Sequence, residues 1–141
     1  MKRRSALGLF TLFAALPAFA QPKKAAAKKQ RVVFQVSDAD PAKWNLALNN
    51  AKNVQADLGK ENVQIEIVAY GPGLAMLKAE SPVAARLAGA LDDSVGLIAC
   101  ENTMHNQKVT RDDMYSGIAY VQAGVTHLMK RQQEDWAYIR P

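Results

Sequence analysis

Apolar positions along this chain change period several times, and each change marks an element. "RVVFQVS" (31–37) is a short β-branched and aromatic run that reads as a strand. The period then switches to helical: Trp44, Ala47, Leu48, Ala51, Val54 and Leu58 share one face, Asp40 is placed to cap, Pro41 takes the first helical position and Gly59 is the stop. "NVQIEIVAY" (62–70) alternates at Val63, Ile65 and Ile67 and then stays apolar through Val68 and Ala69, the mark of a strand buried on both sides. "GPGLAMLKA" turns away from it. Ser81 caps and Pro82 opens a second helical piece, "SPVAARLAGAL", and "VGLIA" (95–99) forms a third strand ending at Cys100.

The next stretch, "ENTMHNQKVTRDDMYSG", is polar and mixed, with helical turns expected over 103–107 and, capped by Thr110, over 111–115. "IAYVQA" (118–123) reads as a fourth strand. "GVTHLMKRQQED" (124–135) reads as a helix with Val125, Leu128, Met129 and Gln132 on one side, and "WAYIRP" (136–141) as a fifth strand. No internal repeat is visible. Strands alternating with helices predict a three-layer α/β/α domain with a mostly parallel five-stranded sheet. In such sheets sites gather at the carboxyl ends of strands, which singles out the loop at Gly71-Pro72-Gly73 and the one that begins at Cys100.

The start of the chain breaks the pattern. "MKRRSALGLFTLFAALPAFA" has a basic beginning, an apolar run too short to span a bilayer, and Ala18 and Ala20 before a cut. The expected division is a signal peptide over 1–20, a Lys-rich linker over 21–31 and an α/β domain over 32–141, with the mature protein periplasmic or secreted and without a stable membrane anchor. The formal charge of +5 belongs to this front end. From Val32 onward there are 10 Lys and Arg against 13 Asp and Glu, a net −3, which argues against a nucleic-acid-binding domain.

The chain has one cysteine, Cys100, so it can make no internal disulfide and holds no resolving thiol for a dithiol cycle. Cys100 is either buried and inert, paired with another chain, or kept as a thiol for chemistry. Its place before residues that can start a helix favours the thiolate, while Glu101 beside it disfavours one. Asn102, Thr103 and His105 offer hydrogen bonds nearby, and His105 is a candidate proton shuttle. Gly71 and Gly73 could let the backbone approach an anion, although Met76 stands where a dinucleotide motif needs its third glycine, and a tight turn explains them as well. His105 and His127 lack the companions of a zinc site, so no metal and no cofactor are expected. Trp44, Trp136 and Tyr138 fit core packing or a subunit contact.

"VAYGPGLAML", "IACENTM", "YVQAGV" and the closing "GVTHLMKRQQEDWAYIRP", in this order, resemble the DsrE/DsrF-like family, in particular its exported single-domain members. The resemblance implies a doubly wound α/β fold, homo-oligomers such as trimers or hexamers, and a part in sulfur metabolism with a donor or acceptor protein as partner. Relay members of that family hold sulfur as a persulfide on a cysteine after a strand, and Cys100 is the matching position. A pocket from Asn102, Thr103 and the Gly71–Gly73 loop would hold the outer sulfur on a solvent-reachable thiol. Relay members work in the cytoplasm, whereas this chain carries an export signal. The rival expectation is a non-catalytic oligomeric binding module for a small anion or cofactor, indifferent to loss of the thiol.

Overall fold

A computed structural model describes residues 27–141; the expected signal peptide and residues 21–26 of the expected linker lie outside the described residues. Five strands form one all-parallel sheet: β1 (Gln30–Val36), β2 (Val63–Ala69), β3 (Gly96–Cys100), β4 (Ala119–Val121) and β5 (Ala137–Ile139), in the order β4-β3-β2-β1-β5. The α/β/α expectation therefore holds, with every strand parallel. β1 begins one residue ahead of the expected strand, at Gln30 of the expected linker, because Gln30 pairs in register with Val63 of β2.

Helix α1 (Pro41–Leu58) starts and stops where its sequence demands. Asp40 accepts a hydrogen bond from the Ala42 N–H at 2.9 Å, and Gly59, at φ +87°, ends the helix in a conformation other residues avoid. Its buried stripe is Trp44, Ala47, Leu48, Ala51 and Gln55. Gln55 joins this stripe because its amide N–H reaches the Asp93 carbonyl at 2.8 Å and so is not left unpaired; Val54 packs half-buried against the same cluster as expected, whereas Leu58 ends up exposed.

Helix α2 (Ala84–Asp92) begins two residues later than Ser81 as cap and Pro82 as first residue suggest. The Ser81 hydroxyl accepts from the Val83 N–H and its carbonyl from the Ala84 N–H, so the Ser-Pro pair makes a turn of its own ahead of the helix. Between β2 and α2 the chain coils as a 3-10 segment, Gly71–Leu77, that buries Leu74, Met76 and Leu77. Helix α3 (Glu101–Asn106) starts directly after Cys100, ahead of the expected 103–107, and a 3-10 turn, Arg111–Asp113, is closed by Thr110 and Asp113 capping each other.

Helix α4 (Gly124–Gln133) corrects a second expectation. Its inward residues are Gly124 and Leu128, with His127 and Arg131 beside them, while Val125 and Met129 face outward at 61% and 51% exposure. The apolar pattern placed Val125, Leu128 and Met129 on one side with Gln132. The helix instead turns His127 and Arg131 inward, because β2 presents Glu66 to them.

The helices divide the sheet. The larger cluster, with Phe34, Ile67, Leu97, Trp44 and Leu87, lies between the sheet and α1, α2 and the 3-10 segment. On the other face Val33, Val68 and Ile98 pack with Leu128 and Trp136 under α4. Trp136 is thus buried within its own chain, whereas Tyr138 and Ile139 of β5 are exposed at 40% and 38%. Among the described residues no helix is long and apolar enough to cross a membrane.

Candidate functional site

Because all five strands are parallel, their carboxyl ends share one edge, and the loops that leave it converge there. Cys100 is the last residue of β3 and the residue before α3, in extended conformation at φ −83° and ψ 115°. It belongs to the α4 face, since its neighbour Ala99 points into the larger cluster and successive side chains alternate.

The sulfur is ringed by donors. Burial pushes the Cys100 thiol up, but hydrogen bonding from the Thr103 hydroxyl and from the backbone N–H groups of Gly124, Thr103 and Asn102, the last of these shared with the Gln122 carbonyl, brings it below its ordinary value. In its protonated form the thiol donates to the Gln122 carbonyl at 3.9 Å. The cysteine is only 5% exposed, so the expectation of a solvent-reachable thiol is corrected: the same loops that stabilise a thiolate also cover it.

Thr103 connects this thiol to the loop after β2. The Gly71 N–H donates to the Thr103 hydroxyl oxygen at 2.9 Å, leaving the hydroxyl proton for the sulfur. The resulting chain, Gly71 N–H to Thr103 O–H to Cys100 sulfur, is polarised in one direction, and each bond strengthens the next. The Gln107 amide closes the loop from the other side by donating to the Gly71 carbonyl at 3.0 Å. Asn102 ties down the loop after β4: its side-chain oxygen accepts from Gln122 at 2.6 Å and its N–H donates to the Gln122 carbonyl at 3.0 Å.

Gly71 and Gly73, taken together in the sequence, separate in the structure. Gly71 sits at φ +54° with open space where a Cβ would be, so its backbone is free to serve Thr103. Gly73 is buried, and a Cβ there would come 2.3 Å from the Val36 carbonyl oxygen. Its lack of a side chain is used to pack the 3-10 segment against the end of β1. His105 is exposed and is not among the groups that hydrogen-bond the sulfur, so a direct proton shuttle is not formed in this arrangement. Glu101 is drawn away from the thiol by an ion pair with Arg111 at 2.5 Å, and the guanidinium also lies 4.2 Å over the Tyr120 ring.

Two participants escaped the sequence reading: Gly124 and Gln122. Gly124 supplies an N–H to the sulfur from the first turn of α4, and a Cβ on it would meet Tyr70 Cβ at 3.1 Å and Val68 Cγ1 at 3.3 Å. A glycine opening a helix straight after a strand is a visible signal of close approach, but nothing in the spacing says that the approach is to Cys100. Among the described residues no three His, Cys, Asp or Glu side chains come together as metal ligands. A groove of about 250 Å³ between α1 and α2, bordered by Leu48, Ala51, Arg86 and Gly89, lies on the opposite face of the sheet from the thiol.

No protein-family model matches this chain, and no curated protein does. Among solved structures it is similar to MTH1491 from Methanobacterium thermoautotrophicum, a protein of unknown function, with 37% identity and a TM-score of 0.76 over 80% of this chain and 100% of that one. BT1422 from Bacteroides thetaiotaomicron, a conserved protein of unknown function, shares the fold with a TM-score of 0.61 at 14% identity, over 79% of this chain and 95% of that one.

Proposed function

This chain belongs to the same family as MTH1491, and we propose, from the resemblance of its sequence to the DsrE/DsrF-like proteins, that it handles sulfur as they do, with Cys100 as the carrier. The observation that carries the reading is the ring of donors on the Cys100 sulfur, which lowers the thiol's pKa in spite of burial. A cysteine that merely fills space has no need of a hydroxyl and three N–H groups turned toward it.

In the proposed step the Cys100 thiolate attacks the outer sulfur of a persulfide donor, R–S–SH. The donor's S–S bond breaks, R–S⁻ leaves, and Cys100 holds S–SH. No net oxidation occurs, so no external oxidant is required. Transfer onward is the same exchange with an acceptor thiolate, which attacks the outer sulfur and returns Cys100 as thiolate. The donors that hold the thiolate also hold the leaving thiolate in the onward step. One cysteine is enough for carriage, and the chain has one. Since the sulfur is covered, the loops after β2 and β4 must part to admit the donor.

The reading extends to place and assembly. Export is supported by the basic start, the apolar run and Ala18 and Ala20 in the sequence. A homo-oligomer is supported by the exposed Val125, Met129, Tyr138 and Ile139, apolar and aromatic groups of the kind enriched at subunit contacts. Light scattering of the purified protein tests it, and a monomer at micromolar concentration would count against it.

The test of carriage is intact mass. Incubation with polysulfide should add the mass of sulfur, reductant should remove it, and Cys100→Ala should abolish the gain while leaving the fold in place. A native protein that takes up no sulfur and resists alkylation until denatured would sink the carrier and leave Cys100 as packing.

A further inference from the structure

Helix α4 does two things at once. Just ahead of its start the Gln122 carbonyl lies 3.9 Å from the Cys100 sulfur, and its first N–H, that of Gly124, is among the groups that lower the thiol's pKa. Along its next two turns His127 and Arg131 close on Glu66 in the middle of β2. Glu66 Oε2 lies 2.7 Å from His127 Nε2 and 2.9 Å from Arg131 Nε, and its Oε1 lies 2.7 Å from the Arg131 terminal nitrogen. The side chains of Glu66 and His127 are only 13% and 15% exposed, so the pairing is sheltered from solvent. Room for it is built into the sheet: the residue paired with Glu66 on β3 is Gly96, where a Cβ would come within 3.3 Å of Glu66 Cγ.

The helix is therefore seated at two points. At one the absent side chain of Gly124 lets the backbone rest on Tyr70 and Val68; at the other, a bidentate carboxylate grips Arg131. Seven residues separate Gly124 from Arg131, about 10 Å along a stiff helix, so displacement at one seat is felt at the other. A hydrogen bond to sulfur weakens steeply with distance and angle. The other charged groups around this seat are Glu134, which shares Arg131 at 2.7 Å, and Arg31 of β1, which lies over the Trp136 ring at 5.7 Å with Arg131 at 4.8 Å over the same ring.

We infer that Glu66 is a positioning residue for Cys100: by holding His127 and Arg131 it fixes the seating of α4, and with it the Gly124 N–H against the sulfur. The inference rests on the reading of Cys100 as a working thiol, and it assigns control of that thiol's reactivity to a carboxylate that does not touch it.

The sign of one measurement separates positioning from simple charge. A carboxylate acting through space disfavours the thiolate, so removing it would lower the thiol pKa. Removing a positioning carboxylate lets the Gly124 N–H drift and raises it. The thiol pKa of the purified full chain is read from the pH dependence of thiolate ultraviolet absorbance, with Cys100→Ala as blank, and from alkylation rate. Glu66→Gln should raise it by about half to one unit and slow alkylation at neutral pH about three- to tenfold. Glu66→Asp keeps the charge and shortens the reach, so it should shift the pKa in the same direction by geometry alone. A pKa lowered or unchanged in either folded variant overturns the inference. If neither variant folds, Gly124→Ala reads the same seat without a change of charge, with a rise expected and no change overturning. A wild-type thiol of depressed pKa that takes up no sulfur defeats the carrier reading but not this one; sulfur uptake with a pKa indifferent to Glu66 defeats this one but not the carrier.

Discussion

The two faces of the sheet are built to different standards. Between the sheet and α1 and α2 lie twenty-one buried residues, among the described residues, including Phe34, Ile67, Leu74, Met76 and Leu87 with no exposed surface at all. Under α4 there are five, and the helix that covers them is held in part by the Glu66 carboxylate. The contents differ too. Trp136 on the α4 face has an indole N–H buried without a partner among the described residues, and two guanidinium groups stack over its ring; such an orphan costs about 1–3 kcal/mol. The deep face lends stability through apolar area and close packing. The α4 face gives some of that up, and it is the face that carries Cys100. The proposed carriage of sulfur on Cys100 requires a cover that can part, and the weaker face can move without unfolding the domain.

Matched deletions give the largest effect. Leu87→Ala on the deep face should cost about 4 kcal/mol and Leu128→Ala under α4 about 2 kcal/mol, both by urea denaturation, because the thinner layer can settle into the space left behind. Equal costs would mean that the two faces are packed alike. Next comes Cys100→Ala, expected to lose about 1–2 kcal/mol because the Thr103 hydroxyl and the Gly124 N–H lose their acceptor. A neutral or stabilising result would show that these donors readily find other partners.

Acid should separate the faces by pH. Burial raises the Glu66 pKa, but hydrogen bonds from Arg131 and His127 outweigh it and hold the carboxyl below its ordinary value. A carboxylate depressed on folding stabilises the native state above its unfolded-state pKa, and that contribution is lost as pH falls through the lowered folded-state value. The α4 seat should therefore loosen at the acid end of the carboxylate range, before the deep face yields. The chain holds one tryptophan on each face, Trp44 and Trp136, so fluorescence of Trp44→Phe and Trp136→Phe reports the faces separately. Simultaneous acid transitions in both variants would break the comparison. The smallest effect belongs to the outward side of α4: Met129→Ser should change the stability of the isolated subunit by no more than about 0.5 kcal/mol. A larger loss that depends on protein concentration would show this side to be covered in an assembly.

Much of this was legible in the chain itself, because it is written in local periods. Alternation at Val63, Ile65 and Ile67, helical spacing from Trp44 to Ala51, the Asp40-Pro41 start and the Gly59 stop depend on residues a few positions apart, and all appear as expected. So does the placing of Cys100 at the carboxyl end of a strand, together with Thr103 and Asn102 close by. What failed lay where local and distant demands compete. Ser81 and Pro82 have the chemistry of a helix start but spend it on a turn. Val125 and Met129 have the spacing of a core stripe, yet face outward because Glu66, some sixty residues away, draws His127 and Arg131 inward.

The sequence by itself determined the elements, their alternation and hence the class of fold, since hydrophobic period and turn chemistry are properties of neighbours. Only the tertiary structure decided which N–H groups surround the sulfur, that Gly71 serves Thr103 while Gly73 serves packing, and that α4 is gripped by β2. Each of those contacts joins residues brought together by strand order, and strand order is set by burying both faces of one sheet at once, a condition that no short stretch of chain contains.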